Sequence, residues 1–205
     1  PTSFGSRLGP LPATTLCSFF TAPYTEDFNG SSWVPGNPGD NAGNLINTCW
    51  TRPSDAAPNL GAYTGATSSA NTGPNSGAGG SGNYIYAEYS NGAIAPGEIN
   101  SPEIFIPTTI TTPIVEFAYF MYGGAIDSLV FLAVQGSATT RLGSIVGEQQ
   151  TAATDTWLYD DFSLSAFSGD TVVVRILAYS TGGFVGDIAV DDFAVKDLSC
   201  PAPSA

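Results

Sequence analysis

Apolar and polar residues alternate along this chain in short runs separated by Gly, Pro, Asn and Ser, and hardly any window holds a helical period for ten residues. The pattern predicts strands at Tyr24 to Phe28, Asn83 to Tyr89, Ile99 to Ile106, Ile114 to Tyr122, Ser128 to Gln135, Arg141 to Glu148, Thr156 to Leu164, Thr171 to Tyr179 and Gly186 to Val195. Strands in that number without helices imply a sandwich or barrel. Ile114 to Tyr122 and Leu129 to Val134 are apolar at nearly every position, so they belong where both faces are covered or at the centre of a sheet. Val172 to Leu177 is interrupted once, by Arg175, as a strand with one wetted position would be.

The segments between and around these runs set the organisation. Residues 1–23 are rich in Pro, Ser, Thr and Gly and read as a linker or the tail of a preceding module, residues 24–198 as one domain, and residues 199–205 as the start of a following linker or module. Gly61 to Gly82 offers almost nothing to bury beyond Tyr63, and a loop of that length is either functional or mobile.

Composition narrows the partners. Only 11% of the 205 residues are charged, and 18 acidic against 5 basic residues give a net charge of −13. The balance disfavours nucleic acid and anionic membrane surfaces as partners, because affinity for phosphate comes from Lys and Arg. The chain has no histidine, which removes Ser-His-Asp and Cys-His catalysis and His-ligated zinc. No apolar run approaches the roughly 18 residues of a membrane span, and the first residues lack the charged and apolar regions of a signal peptide. The chain is therefore expected to be a piece of a longer precursor.

Carboxylates are the main candidate chemistry. Asp187, Asp191 and Asp192 crowd the last strand and Glu26 and Asp27 the first. If those strands are neighbours, their side chains converge on a site for a hard cation, which takes six to eight oxygens. Alternation puts Asp191 and Asp192 on opposite faces, so both are solvated only at an edge or a bulge. Asp160, Asp161 and Glu116 lack the alternating acidic triplet of sandwich glucanases, and a retaining glycosidase needs two carboxyls about 5 to 5.5 Å apart. Among the aromatics, Tyr84, Tyr86 and Glu88 share one strand face and form a candidate sugar-stacking site; Trp50 and Trp157 are expected in the core. Three cysteines allow one internal pair at most.

Several segments together resemble MAM domains and their jelly-roll relatives, the cleaved-adhesin domains: Tyr24-Thr25-Glu26-Asp27-Phe28-Asn29, Cys49-Trp50, Asn71-Thr72-Gly73-Pro74, Gly82 to Glu88, Ile99-Asn100-Ser101-Pro102, and above all Gly186-Asp187-Ile188-Ala189-Val190-Asp191-Asp192-Phe193. The likeness is closest to bacterial modules of secreted multidomain surface proteins. It implies an antiparallel jelly-roll β-sandwich, a structural calcium held by Asp27 and Asp192 with Asn29 supplying an amide oxygen and Asp187 and Asp191 nearby, and a disulfide between Cys17 and Cys49. Pairing of Cys17 with Cys200, or no pairing, is the alternative. The chain departs from the family where Asn75-Ser76-Gly77 follows Gly73-Pro74 and where Asn29 follows Phe28, positions that usually bring a carboxylate, and it lacks the later cysteine pair of the animal domains. The expectation is a non-catalytic adhesion or recognition module, secreted or at the cell surface, flanked by other extracellular modules and meeting a cell-surface protein or a neutral glycan. A carbohydrate-binding accessory domain of a secreted polysaccharide-degrading enzyme and a structural spacer are the alternatives.

Overall fold

The computed structural model describes residue 17 and residues 19–36, 49–52, 58–90 and 95–198. Their strands, in chain order, are β1 (Phe20–Thr21), β2 (Tyr24–Glu26), β3 (Leu60–Thr64), β4 (Asn83–Ala87), β5 (Gly97–Phe105), β6 (Pro113–Met121), β7 (Ile126–Gln135), β8 (Ala138–Val146), β9 (Leu158–Ser163), β10 (Thr171–Ser180) and β11 (Ile188–Asp197). One sheet runs β1-β5-β10-β7-β8; the other runs β3-β4-β11-β6-β9, with β2 also paired to β11. All pairings are antiparallel except β1 with β5. The architecture is the jelly-roll β-sandwich expected from the sequence.

Alternation builds the core between the sheets. Ile85, Val115, Phe117, Ile188, Val190 and Phe193 come from one sheet, and Ile99, Ile104, Leu129, Phe131, Val174 and Ile176 from the other; all are essentially inaccessible. Phe117 and Phe131 stack across the gap with ring centroids 3.9 Å apart. The apolar runs expected at sheet centres are there: β6 lies between β11 and β9, and β7 between β10 and β8.

The sequence pattern missed two strands. β3 contains Gly61 and Ala62, weak strand formers, and its pairing with β4 replaces what reads as the start of a loop. β1 lies before the expected boundary at residue 24: Phe20 and Thr21 pair with Ile104 and Phe105, and Ala22 is buried in the core. Cys17 is joined to Cys49 by a disulfide, which rules out its pairing with Cys200; Cys200 and the segment from residue 199 onward lie outside the described residues.

Gly143 on β8 shows how closely the sheets approach. A Cβ there would lie 2.3 Å from the Phe162 ring, beside the irregularity in register between Phe131 and Leu132. Gly143→Ala is expected to lower stability by about 1–3 kcal/mol, the usual cost of overpacking, measurable as a lower urea midpoint with unchanged slope.

Candidate functional site

The outer face of the β3-β4-β11-β6-β9 sheet carries a second apolar cluster of Tyr84, Tyr86, Phe120 and Ala189, with Tyr63, Tyr122 and Trp157 packed against it. The loop from Gly65 to Gly82 lies across this face and is fastened by hydrogen bonds. Tyr84 Oη donates to Gly65 O at 2.8 Å, Trp157 Nε1 to Ser76 O at 3.0 Å, and the Gly73 and Asn75 amides to Tyr122 O and Ala153 O. The Asp187 amide donates to the hydroxyl of buried Thr72 at 2.8 Å. Composition shows a loop without apolar anchors; what holds it is mostly its own main chain, meeting polar tips of aromatic residues and main-chain carbonyls below, with the Thr72 hydroxyl as a side-chain anchor.

This cover overturns the sugar-stacking expectation for Tyr84, Tyr86 and Glu88. Both rings are 0% exposed and Glu88 is 4% exposed, so none presents a face to a ligand. Burial holds both phenols well above their ordinary range. Alternation identifies residues that share a face, but not whether another segment lies on it. Trp157, expected in the core, instead sits half-buried on this outer face, edge-on to Tyr84 at 5.7 Å and tilted against Phe120 at 5.6 Å.

The acidic end of β11 is shaped by a bulge. Asp191 pairs with Ala118 and Ala194 with Glu116, which leaves one extra residue in β11, and Asp192 adopts φ 46°. After the bulge, Phe193 and Val195 return to the core. Asp191 is buried; its Oδ2 accepts the Ala78 amide at 2.8 Å and its Oδ1 the Asp192 amide at 2.8 Å. Asp192 is exposed and accepts the Tyr159 hydroxyl at 2.8 Å. The two adjacent carboxylates thus have separate environments.

Asp191 faces an oxygen-lined recess. A Cβ placed on Gly77 would lie 2.6 Å from Ser81 O, 3.2 Å from Asn83 O and 3.2 Å from Asp191 Oδ2. Burial first, then the like charges of Asp192 and Asp27, push the Asp191 carboxyl up to about 7, against the lowering effect of its two amide donors. Asp27 approaches from the turn after β2, where its Oδ1 accepts the Asn29 amide. The Asn29 amide oxygen accepts the Asn83 amide at 2.8 Å, and its Nδ2 donates to Asp27 O at 2.9 Å. Asn29 thereby ties the Asp27 turn to Gly82-Asn83, a strut where the resemblance implies a ligand.

Asp187 stands apart from this recess, four residues before Asp191 and just ahead of β11, about 13 Å away at strand rise. It is fully buried; Oδ1 accepts the Tyr89 amide at 3.2 Å, and Oδ2 meets no donor among the described residues. Glu88 lies beside it, itself receiving the Ser90 amide and the hydroxyls of Ser68 and Tyr86. Burial, then the Glu88 charge, push the Asp187 carboxyl up to about 8. The raised pKa favours the protonated form of Asp187 at neutral pH. Of the five residues expected around one cation, the structure therefore brings Asp27, Asn29 and Asp191 together, turns Asp192 to Tyr159, and removes Asp187 to a separate pair. Among the described residues, no three carboxylate or thiol side chains form a metal-binding group, so a cation here would need main-chain oxygens.

Asp160 and Asp161 are exposed on edge strand β9; Glu116 pairs with Lys196, and Arg175 with Glu98 at 2.9 Å. Sequence reasoning gave no sign of one feature: a groove of about 390 Å³ between the loop segment 74–80 and residues 153–157, with Trp157 at its side.

Known proteins share this architecture. The K2 cleaved adhesin domain of Lys-gingipain superposes with a TM-score of 0.56 at 14% identity, covering 85% of this chain and 98% of that one. The K3 cleaved adhesin domain of Lys-gingipain from Porphyromonas gingivalis w83 gives 0.50 at 14% identity, covering 73% and 92%. At that identity the likeness establishes the fold. The family described as MAM domain, meprin/A5/mu, matches residues 45–201, most of the chain, including the Gly186 to Phe193 segment and the bulge it encodes, and the chain belongs to that family.

Proposed function

We propose that this chain is a non-catalytic adhesion or recognition module of a secreted or cell-surface protein, carrying a structural calcium. Membership of the MAM family carries the reading. The Cys17–Cys49 disulfide supports an oxidising, extracellular setting, and the absence of histidine from the sequence leaves no residue with the ordinary general-base range near neutral pH. No helix among the described residues is long and apolar enough to cross a membrane. The partner is a cell-surface protein or a neutral glycan. Nucleic acid is disfavoured by the net charge of −13. Binding of the fluorescently labelled chain to whole cells, with and without protease or glycosidase treatment of their surface, tests the reading; no retention on any surface would count against recognition and favour a spacer.

The calcium reading is supported by the recess beside Gly77. Ser81 O, Asn83 O, Asp191 and nearby Asp27 are hard oxygen donors of the kind calcium takes. A bound cation would offset the repulsion among Asp27, Asp191 and Asp192 and hold Asp191 ionised. Calcium at about a hundred times its dissociation constant is expected to stabilise the fold by about 2.7 kcal/mol, read as a rise in melting temperature relative to EDTA. Asp191→Asn should remove most of that rise and Asp187→Asn should leave it intact. An identical midpoint with calcium and with EDTA in the wild-type chain would end the calcium proposal.

The second reading, a carbohydrate-binding accessory domain, is favoured by the groove at Trp157.

A further inference from the structure

We propose that the groove between the loop segment 74–80 and residues 153–157 is a binding subsite for a neutral, hydroxyl-rich sugar, with the exposed part of Trp157 as its stacking surface. The inference rests on the recognition reading above and locates it. The volume, about 390 Å³, falls within the range of ligand pockets.

Trp157 is fixed before any ligand arrives. Its Nε1 donates to Ser76 O at 3.0 Å, and its ring rests on Tyr84 and Phe120, 5.7 and 5.6 Å away, while the indole stays half-buried with the remainder on the groove. A ring held by a hydrogen bond and two aromatic contacts loses little freedom on binding, and an apolar face of a pyranose covers it without displacing protein. The opposite wall is anchored as well: the Asn75 amide donates to Ala153 O, joining the two loops at the end of the groove.

The polar groups on the rim select for hydroxyls. Asn75, Thr154 and Asp155 are exposed there. Asp155 Oδ2 accepts the amides of Thr151 and Ala152 and the Thr151 hydroxyl; those donors lower its pKa, so it remains an ionised acceptor for sugar hydroxyl donors at neutral pH. Among the described residues no Lys or Arg lines the groove, and a carboxylated or sulfated sugar would meet the Asp155 charge without a counter-charge. Tyr84 and Tyr86 do not contact a sugar in this arrangement; Tyr84 serves as the support beneath Trp157.

Isothermal titration of the full chain with neutral gluco-, galacto-, manno- and xylo-oligosaccharides, and with sialylated and sulfated counterparts, provides the test. At least one neutral oligosaccharide is expected to bind, with affinity changing less than about twofold between roughly 50 and 500 mM sodium chloride. Thr154→Trp, an exposed position where a large side chain occupies the groove, should weaken it by about tenfold or more. Asn75→Ala should weaken it severalfold. Trp157→Ala should abolish it, and the two rim variants keep the result interpretable if that change unfolds the chain. Sugar binding unaffected by both Thr154→Trp and Asn75→Ala would overturn this location and leave the recognition reading standing. Preference for the anionic sugars with steep salt dependence would overturn the ligand class. Failure of every neutral oligosaccharide at about 10 mM would overturn the subsite altogether, while retention on cells would separately decide the reading it rests on.

Discussion

Trp50→Ala is expected to destabilise the fold by about 3–5 kcal/mol, the range for deleting a large aromatic side chain from a core. Trp50 is 1% exposed, yet it lies in an irregular stretch next to Cys49. Its ring meets Phe193 at 5.1 Å, Phe28 at 5.5 Å and Trp33 at 5.8 Å, all in edge-on geometry, and Nε1 donates to the Tyr24 hydroxyl at 3.0 Å. Three segments are pinned by one indole: the turn after β2, the residues around Trp33 and the terminal strand. Alanine leaves a cavity among rings that cannot collapse together, and the Tyr24 hydroxyl loses its donor. Trp50→Phe should recover most of the packing but not the hydrogen bond, at a cost of about 1–2 kcal/mol. Urea unfolding followed by circular dichroism distinguishes these values; a loss below about 1 kcal/mol for the alanine variant would show that the surrounding rings close over the space.

Without calcium, the protein is expected to lose stability as pH rises from about 5 to about 8.5, by on the order of 4 kcal/mol from Asp187 alone, at about 1.4 kcal/mol per pKa unit. The unfolded chain releases the Asp187 proton near 3.8 and the folded chain near 8. Between those values the folded state holds more protons than the unfolded state. Stability is therefore greatest at the acidic end of the window and falls as pH climbs through the folded value, the reverse of an acid paired with a cation. Asp187→Asn keeps a neutral hydrogen-bonding group beside Glu88 and should flatten much of this dependence. Asp191, pushed up to about 7, contributes with the same sign in EDTA, so the comparison of wild type with Asp187→Asn in EDTA isolates the Asp187 part. Chemical denaturation at half-unit pH steps decides it; equal slopes for the two proteins would mean that Asp187 ionises freely in the folded state.

Strand periodicity was enough to read most of the sandwich, because inner-face residues such as Phe117 and Tyr119, Val174 and Ile176, and Ile188 and Val190 repeat at an interval of two, and the central strands β6 and β7 appear as nearly continuous apolar runs. It failed at β3, where Gly61 and Ala62 carry little strand preference and the pairing with β4 supplies the stability. The acidic site was legible only in part. Adjacent Asp191 and Asp192 signal that something must break the alternation, and the bulge does so. Which carboxylate enters the recess depends on the carbonyl of Asn83 at the start of β4 and on that of Ser81, in a loop whose path no periodicity specifies. Tyr84 and Tyr86 failed for the same reason: the loop that buries them is attached largely through main-chain atoms, which leave no mark in side-chain composition.

That mode of attachment separates anchoring from sequence. Most of the fastening contacts are made by main-chain atoms, Gly65 O, Ser76 O and the amides of Gly73, Asn75 and Ala78, whereas Ser68 and Thr72 fasten through their hydroxyls and Gly73 has no room for a Cβ beside Thr67. Exposed positions such as Asn71, Asn75, Gly79 and Gly80 are accordingly open to diversification, with Asn71, Gly79 and Gly80 confined to residues that tolerate positive φ. The segment has the makings of a display loop: randomising its outward side chains on an unaltered framework would yield libraries of surfaces, each seated on the same tyrosine bed.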